Sequence, residues 1–66
     1  MNIKAQTLYA LMENKGYSYG LISTATHLLS PSQAALDEMI IFLEDENPSE
    51  EQFVAHMAQV CEEAIR

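Results

Sequence analysis

The chain has 66 residues, with ten acidic and three basic side chains and a formal net charge of −7. Its apolar content of 48% is too high for a disordered acidic tail, and one cysteine cannot staple a disulfide scaffold. No apolar run approaches the ~18 residues of a membrane span, and three basic residues cannot form the patch that displaces counterions from nucleic-acid phosphates.

The apolar spacing predicts an all-α fold, a compact array of four short helices forming one small domain over residues 1–66. Met1-Asn2-Ile3-Lys4 lacks the uninterrupted apolar stretch of a signal peptide, so a cytoplasmic location is expected.

The first helix is expected over about residues 2–15. Ala5, Leu8, Leu11 and Met12 share a face, Ile3 falls off it, and Gly16 is a natural C-terminal stop. Gly16-Tyr17-Ser18 reads as a turn. The second helix, about 18–29, carries a stripe of Leu21, Ile22, Ala25, Leu28 and Leu29, with Ser23 and His27 facing away. Ser30-Pro31-Ser32-Gln33 has capping-box spacing with proline at the first helical position, and Asn47-Pro48-Ser49-Glu50 repeats that chemistry. These signals start the third helix at Pro31 and the fourth at Pro48, giving helices over about 31–46 and 48–65. Ala35, Leu36, Met39, Ile40, Phe42 and Leu43 form the apolar arc of the third. Phe53, Val54, Met57, Val60, Cys61, Ala64 and Ile65 form that of the fourth.

Catalytic and metal chemistry find little support. Cys61 lies in an apolar arc with no cation one turn away to activate it. His27 and His56 fall on polar faces of different helices and read as solvated surface histidines, and no HxxxH, CxxC or HExxH spacing occurs. Asp45-Glu46-Asn47-Pro48-Ser49 starts like a calcium loop, but Glu50 stands where glycine is needed and His56 where a bidentate glutamate is needed. The hydroxyls of Ser23, Thr24, Thr26 and Ser30 lack a nucleophile elbow or a Gly-rich cradle. No enzymatic activity, cofactor or metal is therefore expected.

Charge is the feature that ordinary helix stability does not explain. Residues 1–36 carry a net +1 and residues 37–66 a net −8. Glu44, Asp45 and Glu46 crowd the end of the third helix, where each is unfavourable to the helix dipole by roughly 0.3–1 kcal/mol. Glu50 and Glu51 follow in the first turn of the fourth helix, where they suit the dipole. Ile41 is placed outward, between Glu38 and Asp45. The expected site is thus an acidic corner of Glu38, Ile41, Glu44, Asp45, Glu46, Glu50 and Glu51 that meets a basic protein through charge and an apolar contact. Direct binding to nucleic acid or membrane is not expected.

Two other readings stand beside this one. In the first, the chain is a structural helical domain, self-associated to a homodimer, whose acidity only confers solubility. The second starts from Leu11-Met12-Glu13-Asn14-Lys15-Gly16-Tyr17-Ser18, which resembles the first helix and turn of phage-repressor-type helix-turn-helix domains. The segment that would be the recognition helix carries Asp37 and Glu38 and no Arg or Lys, so the resemblance implies regulation through protein contacts rather than DNA reading.

Overall fold

The computed structural model describes the backbone of residues 2–65 and the side chains of residues 2–63. Four helices form: α1 (Ile3–Asn14), α2 (Tyr19–Leu29), α3 (Gln33–Glu46) and α4 (Glu50–Ile65), with no strand among the described residues.

Asn2 caps α1, its side-chain oxygen accepting from the amides of Lys4 and Ala5. The C-terminal end is a Schellman motif. Gly16 adopts φ +79°, the Tyr17 amide donates to the Met12 carbonyl at 3.2 Å, and the Gly16 amide donates to that of Glu13 at 3.0 Å. The motif buries Tyr17 rather than leaving it on a turn.

The expected starts of α3 and α4 are each two residues early. Ser30 ends α2, its hydroxyl donating to the Thr26 carbonyl, and Ser32 caps α3 by accepting from the Ala35 amide at 3.1 Å. Asn47 closes α3 in the left-handed conformation, φ 47°. The capping box of α4 is Ser49 with Gln52: the Gln52 amide donates to Ser49 Oγ at 3.2 Å, and the Ser49 amide donates to Gln52 Oε1 at 3.0 Å. Each proline therefore precedes the capping serine instead of opening the helix. Ser32 and Ser49 are the hydroxyls placed three residues before the free amides of Ala35 and Gln52.

Pairings between elements set the topology. The Asn2 side-chain amide donates to the Ser30 carbonyl, so α1 and α2 run antiparallel. Lys4 Nζ meets Asp37 Oδ2 at 2.7 Å near the start of α1, and Lys15 donates to Asn47 Oδ1 near its end. Those pairs place α1 and α3 side by side in the same sense. The rings of Phe42 and His56 stack at 4.1 Å, consistent with α4 returning antiparallel along α3. Tyr17 and Ser18 bring the start of α2 to the start of α4.

Between the helices lies one core, built around fully buried Leu8, Met12, Leu29, Leu36, Met39, Leu43 and Phe53. The radius of gyration, 10.5 Å, is about what a compact chain of this length has. Two expected core residues, Leu28 and Val54, are exposed. Each lies at the margin of its apolar stripe, and four short helices are too few to cover both flanks. Cys61 packs half-buried against the core. The side chains of Ala64 and Ile65 lie outside the described set.

Candidate functional site

Helix α3 presents three faces. Leu36, Met39 and Leu43 point into the core. Helical spacing turns Ile41 to the opposite side, where it is 54% exposed. On the flank toward α4, Glu38, Ile41, Phe42, Asp45 and Glu46 join His56 around a cleft of about 150 Å³. Apolar surface from Ile41 and Phe42 is therefore rimmed by three carboxylates.

His56 departs from the expected solvated surface histidine. Its side chain is 28% exposed, its ring lies flat on Phe42, and its Nε2 is buried without a hydrogen-bond partner. Nε2 stands 3.6 Å from Glu38 Oε1, so the pair becomes an ion pair only when the imidazole is protonated. The reason is the packing of α4 on α3, which covers the margin of the α4 apolar arc where His56 sits. The sequence signal that could have found it is its spacing, one turn before Val60 and three residues after Phe53. His27 is exposed, on α2.

The remaining carboxylates of the acidic corner diverge. Glu50 turns to α2, where its carboxylate accepts from the Ser18 amide at 3.1 Å and from the Ser18 hydroxyl at 3.4 Å. It serves the N-terminus of a second helix as well as the first turn of its own. Its charge also bears on Tyr17: burial first, and then this carboxylate, hold the phenol above its ordinary pKa. Glu44 and Glu51 are exposed and do not line the cleft. The structure thus gathers Glu38, Ile41, Asp45 and Glu46 and sets Glu44, Glu50 and Glu51 apart from them.

Little positive charge neutralises this surface from within. Of the described cations, Lys4 pairs with Asp37 and Lys15 contacts the Asn47 side chain. Arg66 lies outside the described residues. Among the described residues, no group of three or more His, Cys, Asp or Glu side chains is arranged to hold a metal ion, and no helix is long and apolar enough to cross a membrane. No protein-family model, curated protein or solved structure matches the chain.

Proposed function

We propose that the chain is a non-enzymatic interaction module, an adaptor, regulator or inhibitor, that holds a basic protein segment at the α3–α4 cleft. The observation that carries this reading is Ile41, more than half exposed and standing among Glu38, Asp45 and Glu46. A partner side chain with an aliphatic stem and a cationic head satisfies both parts of such a surface, the stem on Ile41 and Phe42 and the head among the carboxylates. The remaining acids of α3 and α4 supply the long-range field that steers the partner in.

The test is affinity capture from the native host at low and high salt. The protein is compared with an Asp45→Lys variant, an Ile41→Ala variant and a Glu13→Lys control of equal charge change. A partner released by salt, lost with the first variant, weakened by the second and kept by the control supports the proposal. The same captured set for all four proteins overturns it.

A second reading is a structural domain whose acidity only keeps it soluble. The observation favouring it is Glu50, whose carboxylate is engaged in local helix capping rather than presented to a partner. That reading leaves every variant with the same captured set.

A further inference from the structure

We propose that His56 makes the α3–α4 cleft responsive to pH: the cleft holds a cationic segment while the imidazole is neutral and releases it once the imidazole is protonated and takes up Glu38. This regulation rests on the reading of the cleft as a site for a basic segment.

Packing puts the imidazole where its charge matters. It lines the cleft, its ring is held flat on Phe42 at 4.1 Å, and its side chain is 28% exposed. Nε2 is buried without a hydrogen-bond partner, and Glu38 Oε1 stands 3.6 Å away, just beyond hydrogen-bond reach. A neutral imidazole carries a hydrogen on one nitrogen and a lone pair on the other. With the lone pair on Nε2, an acceptor faces a carboxylate that can only accept. With the hydrogen there, the bond is stretched. Protonation places N–H on both nitrogens and turns the contact into a charge-assisted pair. Glu38 has room to close the gap, because its side chain is 57% exposed.

The neighbours of His56 make its charge decisive. From α3, Glu38, Asp45 and Glu46 line the clefts that His56 shares, whereas α4 adds the neutral Gln52 and Gln59. Glu63 of α4 shares a further cleft with Glu38. Among the described residues, no Lys and no residue of α1 or α2 lines the clefts of His56. The cation therefore meets three carboxylates when the imidazole is neutral, and one of them is matched from within when it is charged. Histidine is the side chain that changes charge between about pH 5 and 8, where carboxylates stay ionised. A unit charge about 6 Å away, acting through water, changes the affinity for a cation about threefold.

The test uses an acetylated and amidated tetralysine peptide, whose own charge is constant between about pH 5.5 and 7.5. Its binding to the full chain is followed by NMR shifts of the cleft amides at both ends of that range, at one low ionic strength. Circular dichroism confirms that each variant keeps its helices. The expected wild-type result is binding at least about threefold weaker at the lower pH. His56→Gln, and His56→Phe, which keeps a ring against Phe42 without a titrating nitrogen, bind equally at both. Glu38→Gln loses less on acidification than the wild type, because the imidazole then lacks the carboxylate that favours its charged form. His27→Gln, changed in the groove between α1 and α2, keeps the wild-type ratio. Wild-type binding that is equal or tighter at the lower pH overturns the pH response and leaves the cleft's reading standing. So does a folded His56→Phe variant with the wild-type ratio, or a Glu38→Gln variant that loses as much as the wild type. A wild-type chain that binds no peptide at either pH overturns both proposals.

Discussion

Tyr17 shows how one side chain ties the molecule together. The Schellman turn after α1 directs it inward, its ring meets Phe53 edge-on at 5.6 Å, and its hydroxyl donates to the Pro48 carbonyl at 2.6 Å. It therefore links the α1–α2 turn to the α3–α4 turn. Tyr17→Phe keeps the ring and strands the carbonyl, with an expected loss of about 1–2 kcal/mol in urea unfolding. The hydroxyl also gives a pH signature. Because burial and Glu50 raise the folded pKa above 10.0, the unfolded chain releases this proton first. The corresponding stability is complete below about pH 10 and is lost as pH rises toward the folded value. Alkaline unfolding of wild type should show that decline, and Tyr17→Phe should remove the part due to this group. Neither the burial nor the bond was legible from Gly16-Tyr17-Ser18, because the partner carbonyl lies 31 residues away.

Among the elements, helix ends are decided by hydroxyl geometry. Ser32 and Ser49 hold the first free amides of α3 and α4, whereas Ser30 bonds backward into α2. Removing a capping hydroxyl costs about 1 kcal/mol. Ser32→Ala and Ser49→Ala are each expected to lower stability by that amount, and Ser30→Ala by less. Chemical denaturation of the three variants checks the assignment; a Ser30→Ala loss larger than that of Ser32→Ala contradicts it. The four helices and their order were readable from spacing and from Gly16, Pro31 and Pro48. The two-residue offset was not, because Ser30 and Ser32 are both competent caps and Asn47 serves either as a cap or as a left-handed stop.

For the molecule as a whole, the ratio of core to surface governs. Chains of this size draw at most about 3–5 kcal/mol of net stability from one core. Phe53 is fully buried, and truncating a buried phenylalanine costs about 3–5 kcal/mol. Phe53→Ala is accordingly expected to abolish the cooperative thermal transition seen by circular dichroism, while Val54→Ala, at an exposed position, leaves it nearly unchanged. The same scarcity of helices explains why Leu28, Val54 and Ile41 stand in solvent.

Sequence by itself determined the helical class, the order of the four elements, the outward placement of Ile41 and the concentration of acid in the second half. These follow from periodicity and composition, which act over a few residues or over the whole chain without regard to contacts. Tertiary structure alone decided that Tyr17 is a buried latch, that His56 stacks on Phe42, that Glu50 turns away to Ser18, and that α1 and α2 leave a groove between them. Each of these depends on which helices lie side by side. That arrangement is set by how four apolar stripes bury one another, and no single stripe contains it.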